Sequence, residues 1–148
     1  MASIASSCTF CPCLFYRDAP ALIDWLERAF GFKKRLVVPG ENGSVAHAEL
    51  SFGDGVVMVG SARPERGWVS PRDLSGLNQV ISVTVDDPDA HYARAKAAGA
   101  EILQELKDED YGSRGYLTRD PEGNQWYFGT YRPGGHWTER EATGRVGS

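Results

Sequence analysis

One unit of roughly 60 residues occurs twice in this chain of 148. Gly31 and Gly55 recur as Gly99 and Gly123, each 68 residues further on. Asp18 recurs as Asp86, or as Asp87 with a one-residue slip. "AFGFKKRLVV" aligns with "AAGAEILQEL", and "ELSFGDGVVMVG" aligns with "LTRDPEGNQWYF". A repeat of this size is one supersecondary unit that must pack against its copy to finish a core.

Each unit reads as strand, helix, then three strands. In the first, "CTFCPCLFY" is an apolar, β-prone run. Asp18 is placed to cap a helix through its carboxylate. Leu22, Trp25, Leu26, Ala29 and Phe30 follow the spacing of one buried helical face. Gly31 stands where a helix end wants a left-handed residue. "KKRLVV", "SVAHAELSF" and "GVVMVGS" are the next strands, with turn signals in "PGENG" and "GDG". The second unit opens on "NQVISVTV", with Asp87 as N-cap and Pro88 as first helical residue. It continues through "EILQEL", "RGYLTR" and "NQWYFGTY", the last preceded by the turn "DPEGN". The expected fold class is α+β: two tandem βαβββ modules forming a curved mixed sheet around a cleft. Residues 1–132 form one domain, with module 1 at about 8–61, a linker at 62–76 and module 2 at about 77–132. Residues 133–148, rich in glycine and charge, are expected to be a mobile tail.

The formal net charge is −4 and the pI is about 5.4. Nucleic acid is therefore not expected as a partner, since phosphate binding needs a basic face. No stretch is long and apolar enough to cross a bilayer, and "MASIASSCTF" has no basic leader pattern. Three cysteines crowded into "CTFCPC" make a poor disulfide framework, so a cytoplasmic location is expected.

The duplicated βαβββ pattern resembles the vicinal oxygen chelate superfamily of glyoxalase I, the bleomycin resistance proteins and the extradiol dioxygenases. "YRDAPALIDWLERAFGF", "LSFGDGVVMVG", "VTVDDPDAHYARAKAAGAEI" and "RDPEGNQWYFGTY" carry the resemblance, which covers about residues 9–132. It implies paired modules curling around a cleft, commonly in a homodimer. In metal-dependent members His, Glu or Gln ligands come from the first and last strands of each module. Counting from the helix caps and from "DPEGN" puts those positions at Cys11, Val59, Val80 or Gln79, and Tyr127. Valine has no donor atom, and a catalytic ion needs about three protein ligands and an open position. No metal and no cofactor are therefore expected. The thiols of Cys11 and Cys13 share one face of a strand and are read as a soft pocket wall.

Alternation in "SVAHAELSF" makes Ala46, Ala48, Leu50 and Phe52 core, and turns His47, Glu49 and Ser51 to the cleft. His47 either orients a ligand or, with Glu49, acts as a base; the alternative is a histidine on a half-solvated strand. Trp126 and Phe128 read as core. Tyr127, Phe15, Val57 and Val59 read as cleft-facing. Trp68, in the linker, is placed to fold over the cleft or dock at a dimer contact. Tyr111, Arg114 and Tyr116 cluster near the seventh strand as pocket candidates. His91 reads as a solvated helix residue, and His136 carries no argument. No nucleophile triad and no phosphate loop can be recognised.

The function these residues favour is metal-independent binding of a small organic ligand, cationic or aromatic, by Cys11, Cys13, Phe15, His47, Val59, Trp68, Tyr111, Arg114 and Tyr127. Capture of this kind underlies bleomycin resistance, so the resemblance implies an antibiotic-resistance role. The alternatives are a metal-dependent glyoxalase-like lyase, isomerase or dioxygenase, and a metal-free enzyme using His47 and Glu49.

Overall fold

The computed structural model describes residues 8–138. The element order repeats as the duplication requires. Module 1 comprises β1 (Cys13–Tyr16), α1 (Ala19–Phe30), β2 (Lys33–Pro39), β3 (Val45–Phe52) and β4 (Gly55–Ser61). Module 2 comprises β5 (Ile81–Thr84), α2 (Pro88–Ala97), β6 (Glu101–Asp108), β7 (Arg114–Arg119) and β8 (Gln125–Gly129). Each module forms its own four-stranded mixed sheet, in the orders β1-β4-β3-β2 and β5-β8-β7-β6. In both sheets the first strand runs parallel to the last and the other pairs are antiparallel. The fold is α+β with two equivalent modules. No helix among the described residues is long and apolar enough to cross a membrane.

Local chemistry sets the helix ends. The Asp18 carboxylate accepts from the Ala21 N–H at 3.2 Å, and Asp87 accepts from Ala90 at 3.0 Å. Gly31 closes α1 at φ 85°, a conformation open to glycine without steric cost. The two helices then diverge. α1 buries Leu22, Ile23, Trp25, Leu26, Ala29 and Phe30 among others, whereas α2 buries only Pro88 and Ala95.

One aromatic core serves both modules. Phe30 of α1 lies 5.6 Å from Trp126 and 4.7 Å from Phe128 of β8, centroid to centroid. Phe32 bridges Phe52 and Trp126. Both sheets turn their buried faces to this core, so their other faces look away from it.

The "DPEGN" turn ties module 2 to module 1. Asp120, 2% exposed, accepts three backbone N–H groups through Oδ1, from Glu122, Gly123 and Asn124. Its Oδ2 accepts from the Tyr16 hydroxyl at 2.6 Å and from Trp126 Nε1 at 3.1 Å. Glu122, 3% exposed, accepts from the backbone N–H groups of Arg17 and Asp18 and from the Ser70 hydroxyl. These hydrogen bonds let two carboxylates sit inside the molecule, where bare charges would be costly. Burial pushes the Asp120 carboxyl up from its ordinary range, and the hydrogen bonds it accepts oppose that.

His91 departs from the solvated position expected of it. It is half-buried against Phe30, Phe52, Tyr116 and Phe128. The Phe30 carbonyl can only accept, so Nε2–H donates to it at 2.8 Å, and Nδ1 of the neutral ring takes the Tyr116 O–H at 2.6 Å. Arg94 donates to the carbonyls of Glu27 and Arg28. α2 thus caps the C-terminus of α1 from outside it. Of the tail expected from Pro133 onward, the segment after Thr138 lies outside the described residues.

Candidate functional site

The open face of the module 1 sheet follows from strand pairing. Cys13 stands opposite Met58, and Met58 opposite Glu49; Phe15 stands opposite Gly60. His47 and Glu49 face Val38 and Leu36 on β2. Ala48 and Leu50 between them are fully buried, as alternation requires. His47 Nε2 lies 2.8 Å from Glu49 Oε2, with both side chains 41% exposed. A carboxylate only accepts, so Nε2–H donates and Nδ1 is left as the basic nitrogen.

Trp68 folds back from the linker onto this face. A turn over Pro64–Arg66, closed by pairing of Arg63 with Trp68, returns the chain to β1. The indole stacks on Phe15 with centroids 4.8 Å apart and planes 16° apart, and the Arg66 guanidinium lies 5.1 Å from its centre. Phe15 in turn lies against Gly60, where an added Cβ would meet its ring at 3.7 Å. Leu36, Val37 and Val38 of β2 are 44%, 40% and 41% exposed. This face therefore combines an aromatic stack, an apolar strand, a His–Glu pair and the thiols of Cys11 and Cys13. Desolvation, then Cys8, Cys13 and Glu49, push the Cys11 thiol up.

The corresponding face of module 2 is built differently. The Tyr127 ring lies down along the sheet over Gly115, where an added Cβ would fall 2.4 Å from the Tyr127 hydroxyl. Gly129 is equally covered, its added Cβ meeting Tyr127 Cε1 at 2.6 Å. The hydroxyl reaches Ser113 Oγ at 3.2 Å. Tyr111, 58% exposed, has its hydroxyl pushed up to about 12, chiefly by a hydrogen bond with Tyr127.

Two expected site residues lie elsewhere. Val59 is 2% exposed, with its side chain in the core, and so is Val57 at 5%. The cause is register: Leu14 pairs with Val59 as Val83 pairs with Phe128, so Val59 matches Phe128, and Met58 matches Tyr127. Because strand side chains alternate, a one-residue slip moves a residue to the other face. Arg114 shares the face of buried Tyr116 and Thr118, and its guanidinium is held by Asp89 at the start of α2 and by Asp108. Ala46, expected in the core, is exposed while Val45 is buried, beside a register shift in β2 at Val38 and Pro39.

The strand positions that would offer ligands to an ion carry Cys11, Met58, Val80 and Tyr127. Among the described residues no group of three or more His, Cys, Asp or Glu side chains is placed to hold a metal ion. A divalent ion of the catalytic kind does not fit this donor set within one chain. Sequence reasoning missed a groove of about 1000 Å3 at the free edge of β5, walled by Phe32, Phe52, Val57, Ile81 and Val83 with His91 among them. Its walls belong to both modules, and no local motif marks them.

Two repeated βαβββ modules, each with a four-stranded sheet that packs one face on the shared core, define the class of fold. The profile of the Glyoxalase/Bleomycin resistance protein/Dioxygenase superfamily matches residues 7–128, and the chain belongs to that family. It is similar to TioX from Micromonospora sp. ML1, with 38% sequence identity over 85% of this chain and 100% of that one and a TM-score of 0.67. An uncharacterized protein of Mycobacterium tuberculosis is 34% identical over 121 residues, which is 80% of this chain and 71% of the relative. The genomically encoded fosfomycin resistance protein FosX of Listeria monocytogenes, solved with Mn(II) and sulfate, shares the fold. Its TM-score is 0.63 at 14% identity, over 85% of this chain and 93% of that one.

Proposed function

We propose that this protein is a metal-independent binder of a small organic ligand, aromatic or cationic, held on the open face of module 1. The observation that carries the reading is the Phe15–Trp68 stack beside the His47–Glu49 pair. A flat, apolar platform with one polar pair at its side is the usual composition of a small-molecule site. Cys11 and Cys13 extend the platform. A use in antibiotic resistance, by sequestration in the cytoplasm, follows from the same capture.

A homodimer accompanies this reading. Leu36, Val37, Val38 and Val80 leave apolar surface exposed on a single chain, and β5 keeps a free edge. A second copy would cover that surface. The His47–Glu49 geometry also supports a second reading, a metal-free enzyme with His47 Nδ1 as general base.

The test is a thermal-shift and fluorescence screen of aromatic and cationic compounds, each with and without Zn2+, Ni2+, Mn2+ or Fe2+. Stabilisation by an organic compound, lost in Trp68→Ala and indifferent to metal, is the expected result. Stoichiometric metal with a thermal shift abolished by His47→Ala or Glu49→Ala overturns it in favour of a metalloenzyme. A monomer in sedimentation at micromolar concentration overturns the dimer.

A further inference from the structure

The two stacked rings of the platform are tied, through their chains, to one oxygen. Glu122 Oε1 accepts the Arg17 N–H at 2.7 Å and the Ser70 hydroxyl at 2.5 Å. Arg17 follows Phe15 by two residues, and Ser70 follows Trp68 by two. Two residues of extended chain span at most about 7 Å, so each bond is made close to the backbone that carries a ring. Glu122 Oε2 accepts the Asp18 N–H at 2.8 Å, which fixes the carboxylate from its other side. Glu122 and Ser70 are both buried, so the bond between them is shielded from water.

The other restraints near Trp68 do less to place it. Arg63 and Trp68 exchange backbone hydrogen bonds at 2.6 and 3.1 Å, which closes their turn on itself without fixing where the turn lies. The Ala62 N–H donates to the Tyr16 carbonyl at 2.9 Å, on the entry side. On the exit side Arg17 Nε donates to Asp73 Oδ2 at 3.2 Å and Nη2 donates to Oδ1, but this pair is exposed and contributes little. Ser70 also accepts the Arg72 N–H at 3.2 Å, which starts the single turn at Pro71–Asp73. The Ser70 hydroxyl thus joins the segment carrying Trp68 to a buried acceptor.

We propose that Glu122 is a positioning residue for the platform: through Arg17 and Ser70 it sets the spacing and alignment of the stacked Phe15 and Trp68 rings. It acts through the two backbones, and a carboxylate suits the task because one of its oxygens can accept two donors. Glu122 belongs to the turn before β8, so module 2 sets the geometry of a surface carried by module 1. The consequence for affinity rests on the proposed ligand site. A Trp68 ring already held in place does not have to be ordered when a ligand binds.

The first measurement needs no ligand. Fluorine NMR of protein labelled with fluorotryptophan reads each indole separately, and Trp68→Phe assigns the Trp68 resonance. Ser70→Ala removes the Ser70 bond and leaves Glu122 its two backbone donors. The expected result is a Trp68 resonance moved toward its position in urea-unfolded protein, with the Trp25 and Trp126 resonances in place. Tyr16→Phe is the control, since it cuts the bond from Tyr16 to Asp120 in the same turn without touching Glu122. It should leave the Trp68 resonance where it is. A Trp68 resonance unmoved by Ser70→Ala, or moved equally by both substitutions, overturns the proposal. Should Ser70→Ala not fold, Ser70→Cys fills the same space with only a weak donor and carries the same test. Proflavine, a planar aromatic cation, then probes binding. Its affinity should fall about fivefold in Ser70→Ala, the cost of ordering one loosened side chain, and hold in Tyr16→Phe. Equal proflavine affinity in wild type and Ser70→Ala overturns the link from Glu122 to binding. If proflavine binds none of these proteins, the ligand reading of the platform fails for planar cations, and the fluorine spectra alone decide the positioning role.

Discussion

The two modules share a backbone plan and differ in what they do with the face that the core leaves open. In module 1 that face has side chains standing on it: Phe15 and Trp68 stacked, His47 bonded to Glu49, and thiols at the edge. In module 2 the main aromatic is laid flat, with Tyr127 spread over Gly115 and Gly129. Gly60 and Gly129 occupy equivalent places, opposite Phe15 and Thr84 respectively. Yet only Gly129 is covered closely enough to exclude a methyl group. Duplication keeps the element order and the strand pairing. It leaves the open faces free to diverge, one toward a binding platform and the other toward a smooth wall.

The modules also differ in how their turns are used, and the largest predicted effect lies there. The "DPEGN" turn of module 2 carries the tie to module 1, through Asp120 and Glu122. Asp120→Ala removes the carboxylate that five donors share, three of them buried, and should lower the unfolding free energy by about 4 kcal/mol. Chemical denaturation checks this, and a loss under about 1 kcal/mol would show that the turn is not the tie.

The glycine comparison gives the next effect. Gly115→Ala sets a Cβ 2.6 Å from the Phe128 carbonyl as well as on the Tyr127 ring, and should cost about 2–3 kcal/mol. Gly129→Ala should cost somewhat less, since the ring is its nearest obstacle. Gly60→Ala meets nothing nearer than 3.6 Å, and should be neutral or stabilise by up to about 1 kcal/mol through the unfolded chain. Equal costs at Gly60 and Gly129 would erase the distinction between the two faces.

Ligand affinity sharpens the same contrast. Trp68→Ala or Phe15→Ala should weaken binding by about 2 kcal/mol, roughly thirtyfold. Tyr127→Phe removes only a hydroxyl already bonded to Ser113 and should change affinity by no more than a few fold. Isothermal titration of the wild type and these variants with one hit compound ranks the two walls directly. A greater loss from Tyr127→Phe than from Trp68→Ala reverses the assignment of the platform.

The smallest effect comes from the helix contact. Burial, aided by Arg94, lowers the tendency of His91 to take a proton, although its bond to the Phe30 carbonyl opposes this. The unfolded chain therefore binds that proton more readily than the folded one. Stability from this group is intact above the ordinary histidine range near pH 6.5 and declines as pH falls below it. Denaturation midpoints at pH 8 and pH 5.5 should show that decline, and His91→Gln should flatten it.

Much of the fold was legible because it rests on local and periodic signals. Asp18, Asp87 and Gly31 announce their helix ends, and alternation correctly buries Ala48, Leu50, Trp126 and Phe128. The misplacement of Val59 has an equally simple origin. The glycine pairs repeat at one offset and the capping aspartates at one residue more. In a structure of period two, that slip decides which face a side chain takes.

The duplication, the element order, the helix caps and the apolar partition of most strands can be read from the residues alone, because each depends on neighbours close together in the chain. The residues also mark the strand positions where metal ligands would stand as poor in donors. Packing of the folded chain is what makes His91 clamp α1, gives Arg114 to Asp89 and Asp108, lays Tyr127 flat and sets Trp68 on Phe15. Those outcomes depend on which surfaces meet after both modules pack. A histidine beside charged residues has the same local pattern in water as against Phe30 and Phe128. The choice between them is made by burial from a distant segment, whose identity no short window of sequence contains.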